Sequence, residues 1–125
     1  MKYDDLLNVP FKLYGRDKDG MDCYGLVLEC CRRAGTPLMD LYDVKAKAND
    51  MINDYIGNGL NVRKISEVKP GAIVEMERDG KFHIGYVVER GKVLHATCDF
   101  GVRVAPAGVL KITGIYEVVN EDNSL

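Results

Sequence analysis

The fold is decided by the stretch GMDCYGLVLECCRRAG, residues 20–35, in which apolar side chains recur at helical spacing. Asp22 is a favourable N-cap residue, which places Cys23 in the first turn of the helix. Gly35 and Pro37 supply the stop signal. The predicted helix therefore carries one apolar stripe, formed by Leu26, Val27, Cys30, Cys31 and Ala34.

Beyond Pro70-Gly71 the hydrophobic period changes from helical spacing to alternation, which is typical of strands. The segments are rich in Val, Ile and Tyr and are separated by turn signals containing glycine. They cover residues 72–77, 82–89, 92–98, 102–105 and 112–119. A helix followed by a strand meander predicts an α+β fold with one antiparallel sheet of about five to six strands.

Two further regions are less regular. Residues 1–21 have the composition of loops, and a weaker, more polar helix is predicted over residues 44–56, ended by Gly57-Asn-Gly59. With no repeat and no linker in the sequence, residues 1–125 are expected to form a single domain.

The composition excludes several classes of function. The chain has 125 residues, with 17 Lys+Arg against 19 Asp+Glu and a net charge of −2, which does not suggest nucleic-acid binding. No apolar run approaches the roughly 20 residues of a membrane-spanning helix. The start, MKYDDLLNVPF, does not resemble a secretory signal, so we expect the protein to be cytoplasmic as synthesised or to leave the cell by a route that reads no N-terminal signal.

The four cysteines are Cys23, Cys30, Cys31 and Cys98. Adjacent cysteines do not form an ordinary disulfide, and no spacing matches a zinc site, so free thiols and no metal are expected. Cys30, Cys31 and Cys98 are interpreted as inert.

Cys23 is the candidate nucleophile. A thiol in the first turn of a helix faces unpaired backbone N–H groups and the positive end of the helix dipole, which favour the thiolate. Cys23 also begins the apolar stripe, so packing of the helix on the sheet is expected to bring the thiol to the core's edge, near both histidines of the chain. The alternative is a buried cysteine without chemical function.

His83 and His95 lie twelve residues apart, around the turn at Arg90-Gly91. A two-residue loop puts them on opposite faces of the sheet. A three-residue loop ending at Gly91, which we expect, puts His95 opposite Gly85 and on the face of His83. Their Cβ atoms would then be diagonal neighbours roughly 7–8 Å apart. That arrangement offers a nucleophile, a general base and a group that fixes the base's tautomer.

Taken in order, five motifs resemble those of the NlpC-type cysteine peptidases, papain-like bacterial and phage enzymes that hydrolyse cell-wall peptides. The motifs are PFKLYG (residues 10–15), GMDCYGLV (20–27), VKPG (68–71), HIGYVV (83–88) and VLHA (93–96). The resemblance extends from about residue 10 to residue 118. It implies a papain-like fold, with the N-terminal catalytic helix packed on the sheet, and no cofactor.

The same resemblance implies a role for individual residues. Cys23 corresponds to the nucleophile, His83 to the general base and His95 to the third, orienting member. The residues implied in substrate binding are Phe11, Tyr14, Asp22 and Tyr24. Two positions depart from the family pattern: Tyr24 replaces the usual serine after the nucleophile, and Phe11 stands where a tyrosine is usual. An aromatic residue at position 24 resembles forms encoded by phages and prophages in tail-associated proteins, which implies a virion-associated location as the alternative to a cytoplasmic one.

The leading hypothesis is a peptidase that cleaves peptidoglycan stem peptides at the γ-D-glutamyl–diamino-acid bond, with phage tail proteins as partners. An intracellular amidase or acyltransferase with the same Cys-His-His chemistry is the second hypothesis, motivated by Phe11 and Tyr24. A catalytically silent phage tail component is the third.

Overall fold

The computed structural model describes residues 1–40, 52, 56 and 59–119. A short hairpin, β1 (Arg16–Asp17) and β2 (Gly20–Met21), precedes helix α1 (Cys23–Arg33). The sequence predicted a loop here, because strands of two residues are too short to show alternation. The helix is confirmed, and so is its cap: Asp22 Oδ1 accepts a hydrogen bond from the Gly25 N–H at 2.8 Å.

The remaining strands form one six-stranded antiparallel sheet in the order β3-β8-β4-β5-β6-β7. Five strands agree with the predicted segments to within one residue at each end. The sequence missed β3, which has three residues of which only the first is buried. The strands are β3 (Val62–Lys64), β4 (Ile73–Arg78), β5 (Lys81–Glu89), β6 (Lys92–Thr97), β7 (Gly101–Pro106) and β8 (Ile112–Val118). The α+β fold class is therefore confirmed.

The sheet buries side chains on both faces. The helix stripe packs into one core with alternate residues of β5 and β6, including Ile84, Tyr86 and Leu94. The intervening residues, including Val87 and Val93, belong to a second core on the other face. Alternation along each strand thus directs the side chains of β5 and β6 to one face of the sheet or the other.

The β5–β6 hairpin differs from the prediction. Its loop has two residues, Arg90 and Gly91, rather than three, although Gly91 does take a positive φ of 75°. A β-bulge at Val88 supplies the odd residue and shifts the register, so that Val87 pairs with Val93 and Tyr86 with Leu94. The bulge thereby gives the strands the register that the three-residue loop was expected to give.

At Gly85 the strands β5 and β6 lie close together. A Cβ built on Gly85 would lie 2.7 Å from Val93 Cγ1 and 3.2 Å from the Cβ of His95. A glycine is required because any side chain would force these strands apart beside His95.

The predicted helix over residues 44–56 lies outside the described residues except at Ile52 and Ile56. Within the part of the chain that the structure describes, no helix has the length and hydropathy needed to cross a bilayer.

Gly85→Ala is expected to lower the free energy of unfolding by about 1–3 kcal/mol, because the added methyl group overpacks the contact with Val93 and His95. Gly108→Ala is the matched control, since nothing lies within 4 Å of its added Cβ, and its effect should be well below that of Gly85→Ala. Urea denaturation of both variants measures the difference. Equal stabilities would contradict the tight approach at Gly85.

Candidate active site

The two histidines are joined by a hydrogen bond between the strands. His83 Nε2 and His95 Nδ1 lie 2.9 Å apart, and the rings meet edge to face with their centroids 5.2 Å apart. Both side chains are buried, His83 with 7% and His95 with 5% of its surface exposed. The structure thus places both imidazoles on one face of the sheet, as the same-face register requires.

This hydrogen bond restricts the protonation state of both rings. If His83 Nδ1 is to accept a proton, the neutral ring must carry its hydrogen on Nε2 and donate it to His95 Nδ1. His95 must then be neutral, with its own hydrogen on Nε2. The pair can therefore hold a free basic nitrogen at His83 Nδ1, with His95 acting only as hydrogen-bond acceptor.

Cys23 meets the sheet at the backbone of β5. The Val87 N–H donates to Ala72 O on the β4 side at 2.9 Å, so alternation directs the Ile84 N–H toward β6. The β5–β6 pairing ends at Tyr86 and Leu94, before Ile84 is reached. The Ile84 N–H instead lies close enough to the Cys23 thiol to favour its thiolate form. The thiol therefore occupies the end of the β5–β6 ladder, one residue from His83.

Strand alternation indicates which face of the sheet carries the histidines. Ile84 packs in the core beneath α1. His83 lies on the opposite face of β5, together with Gly85 and Val87, and Val87 belongs to the second core. Both histidines thus project away from the face covered by α1. The Cys23 thiol lies beside the Ile84 N–H at the open end of the ladder, where β5 and β6 are no longer paired.

The pKa of the Cys23 thiol is raised to about 11, opposite to the direction predicted from its place in the helix. Burial is the largest cause, and the charge of Asp22 adds to it. Backbone N–H groups lower the pKa, that of Ile84 on β5 most and those of Tyr24 and Cys23 at the helix start less, but they do not outweigh burial and the charge of Asp22. Burial also lowers the pKa of His83 to about 4, and the charges of His95 and Arg78 act in the same direction. Both shifts favour a neutral thiol beside a neutral imidazole.

Asp22 organises the backbone before the nucleophile. Besides capping the helix, its Oδ2 accepts the Tyr14 N–H at 2.8 Å, and its Oδ1 lies 3.2 Å from Arg16 Nη1. Arg16 also donates to Gly15 O and pairs with Asp40. With 2% of its surface exposed, Asp22 fixes Tyr14 in a left-handed conformation of φ 64°.

Sequence analysis did not identify Arg16. Its sequence position could have indicated the role: Arg16 lies just before a short turn and six residues before the helix cap. Gly25 is constrained by the same contact, since a Cβ there would lie 2.1 Å from Gly15 O. The glycine after Cys23-Tyr24 is therefore needed for the helix start to lie against this loop.

The other residues implied in substrate binding differ in exposure. Tyr14 has 64% of its surface exposed, and Phe11 is half-buried against the core. Tyr24 is buried, its hydroxyl donates to Met39 O and the Arg16 guanidinium lies over its ring at 5.7 Å. Of the four residues, Tyr14 and Phe11 are the ones that reach the surface.

The other cysteines are free thiols, as is Cys23. Cys30 and Cys31 are buried in the helix stripe, and burial raises the pKa of both thiols, to about 12 for Cys31. Cys98 is exposed in the turn after β6. The exposed Cys98 must therefore be considered in any labelling experiment directed at Cys23.

Comparison with known proteins gives a consistent result. The model of the NlpC/P60 family matches residues 8–111. The NlpC/p60 domain of the peptidoglycan hydrolase SagA superposes with a TM-score of 0.60 at 16% identity, over 90% of each chain. An NlpC/P60 family protein from Bacillus cereus has a TM-score of 0.60 at 13% identity, over 92% of this chain and 37% of that protein. No curated protein matches the sequence.

The low pKa of His83 predicts how stability depends on pH. The unfolded chain takes up the imidazole proton near pH 6.5, whereas the folded protein does so only near pH 4. Because the unfolded state binds more protons between these values, the free energy of unfolding should fall as the pH is lowered from 6.5 to 4, by about 3 kcal/mol. Urea denaturation of the wild type and of His83→Gln measures the effect. The variant should lose less stability over this range, and identical pH profiles would contradict a buried neutral His83.

Proposed function

Because this chain belongs to the NlpC/P60 family, we propose that it is a cysteine peptidase that hydrolyses peptides of the bacterial cell wall. The proposal rests on two observations: the buried His83–His95 hydrogen bond, and the contact of the Cys23 thiol, at the start of α1, with the Ile84 N–H, one residue from His83. A thiol, a ring nitrogen able to take its proton and a group that orients that ring are the parts a thiol-dependent hydrolase needs. The similarity to a domain of a peptidoglycan hydrolase supports this substrate class.

In the proposed reaction, Cys23 is the nucleophile and His83 Nδ1 the general base. The thiol proton moves to His83 Nδ1 as sulfur attacks the amide carbonyl carbon. The resulting oxyanion accepts a hydrogen bond from the Cys23 backbone N–H. His83 then protonates the leaving amine and the C–N bond breaks, which leaves a thioester. Water attacks the thioester with His83 as base, and the carboxylic product and the thiol are released.

His95 is a positioning residue in this scheme. Its Nδ1 accepts the Nε2–H of His83 and so leaves His83 Nδ1 unprotonated and able to accept the thiol proton. Burial favours the neutral forms of Cys23 and His83, so the proposed attack requires transfer of the thiol proton to His83.

The proposed substrate bond is the γ-D-glutamyl–diamino-acid amide of stem peptides. Tyr14 and Phe11, which reach the surface near the helix start, are proposed to contact the peptide. Buried Asp22 and Tyr24 are proposed to act indirectly, by fixing the Tyr14 backbone and the segment at Met39.

One observation favours a second function. Where the family usually has serine, the Tyr24 hydroxyl is held by Met39 O, so this chain presents no hydroxyl there to a substrate amine. An amidase or acyltransferase acting on another substrate with the same chemistry is consistent with that change. The resemblance of the aromatic residue at position 24 to phage-encoded forms supports a tail-associated setting, which detection of the chain in purified particles would decide.

Digestion of purified sacculi tests the proposed function. The wild type should release peptides with a new diamino-acid amino terminus, whereas Cys23→Ala should release none, because the nucleophile is absent. Cys30→Ala is the control, because it removes a buried thiol of the same helix. It should lower the free energy of unfolding by about 1 kcal/mol and leave the turnover per folded molecule unchanged. Mass spectrometry identifies the products. Turnover of model amides without release from sacculi would favour the second function.

The two histidines should differ in their effect on activity. His83→Ala should abolish turnover, since no base remains. His95→Gln should retain measurable activity, because the amide oxygen can still accept the hydrogen bond from His83. His95→Ala should be intermediate.

Cys23 alkylation measured in a Cys98→Ser background gives an independent readout of the same roles. The pH dependence of alkylation should change in His83→Ala and stay close to wild type in His95→Gln. If His95→Gln were inactive while the profile of His83→Ala matched the wild type, the roles of the two histidines would be reversed.

A further inference from the structure

Three cations lie on the sheet face that carries the histidine pair. Met76 pairs with His83, so Arg78, two residues further along β4, lies on the same face. Lys81 pairs directly with Arg78, and Arg103 of β7 pairs directly with His95. We call Arg78, Lys81 and Arg103 the basic cluster; all three are exposed.

The turn after β6 connects the two arginines of the cluster. Asp99 Oδ2 lies 3.9 Å from Arg78 Nη2, and the next residue, Phe100, lies under the Arg103 guanidinium, 4.6 Å from its Cζ to the ring centroid. Thr97 Oγ1 accepts the Phe100 N–H at 3.2 Å and fixes the turn. Arg78 and Arg103 are thus held near the same turn, beside His95.

The positive charge of the cluster is not balanced within the described residues. Asp99 forms one long ion pair with Arg78, and neither Lys81 nor Arg103 forms an ion pair in the part of the chain that the structure describes. Like charges directly opposite on neighbouring strands, such as Arg78 and Lys81, destabilise a sheet. The cluster therefore has guanidinium and ammonium groups free to bind an anion.

The field of the cluster reaches the histidine pair. Burial is the largest cause that lowers the pKa of His95, and the charges of Arg78 and Arg103 lower it further. A group that neutralised these arginines would therefore lie within electrostatic range of His83 and His95.

We propose that the basic cluster binds a carboxylate of the substrate peptide, so that peptides with a free carboxylate next to the scissile amide are preferred over amidated ones. This inference rests on the proposed function, because a γ-linked glutamyl residue keeps its α-carboxylate free and the diamino acid carries a second one. Guanidinium groups suit such a ligand, since their planar N–H donors match both oxygens of a carboxylate. Either carboxylate supplies the same chemistry, and separate amidation distinguishes them.

The test uses Cys23→Ala, which binds without cleaving, and calorimetric titration with three forms of an alanyl-γ-D-glutamyl-diamino-acid peptide. One form has both carboxylates free, one is amidated at the glutamyl residue and one at the diamino acid. Amidation of the recognised carboxylate should weaken binding about ten- to a hundredfold, the range for a hydrogen bond to a charged group. Arg78→Gln and Arg103→Gln should weaken binding of the free peptide by a similar factor and leave that of the amidated peptide unchanged.

Arg63→Gln is the matched control, because Arg63 is an exposed arginine on β3, at the other edge of the sheet. Equal weakening by Arg63→Gln, or unchanged binding in both cluster variants, would overturn the inference. Binding of polyphosphate that the peptide fails to displace would assign the cluster to an anionic polymer and also overturn it.

Turnover by the protein with Cys23 intact separates this inference from the proposed function. Equal kcat/KM for all three peptides would overturn carboxylate recognition while supporting the peptidase. Selective binding of the free peptide without cleavage would support carboxylate recognition and contradict the peptidase. Neither binding nor cleavage of any form would overturn both.

Discussion

The hydrogen bond between His83 and His95 is the interaction on which the rest of the site depends. It forms only if β5 and β6 place both rings on one face, and the bulge at Val88 and the bare backbone of Gly85 provide that register. It also fixes which nitrogen of His83 is free. The ladder ends at Leu94, so the thiol can approach the backbone beside His83. The local irregularities of this hairpin are therefore the features that assemble the site.

Much of the architecture could be predicted from the sequence because its signals are local. The Asp22 cap, the stripe of α1 and the alternation of the longer strands are contained in a few neighbouring residues each. The length of the β5–β6 loop was predicted wrongly. A two-residue loop with a bulge at Val88 and a three-residue loop without one give the same alternation of buried and exposed residues in β6, so the sequence pattern does not distinguish them. β3 was missed because three residues carry too little periodicity to be recognised.

The electrostatics of the site could not be predicted in the same way. The position of Cys23 in the helix correctly indicated that N–H groups of the first turn favour the thiolate. The larger effect of the Ile84 N–H and the opposing effect of burial depend on how the sheet closes around the thiol. The contacts of two arginines also follow only from the folded structure. Arg103 lies opposite His95 through strand pairing, and Arg16 reaches Asp22 through the loop before the helix. Charge and desolvation at this site are properties of the tertiary structure.

The bulge at Val88 has a consequence for how far the sequence between the histidines can vary in length. Val88 is the extra residue of its strand, so a hairpin without it would keep Val87 opposite Val93 and His95 opposite Gly85. A regular hairpin that retained every residue would instead slip by one position and turn His95 into the helix core. Natural relatives with one residue fewer between the two histidines and no bulge would therefore be structurally equivalent to this protein. An alignment that requires a fixed spacing would fail to match them.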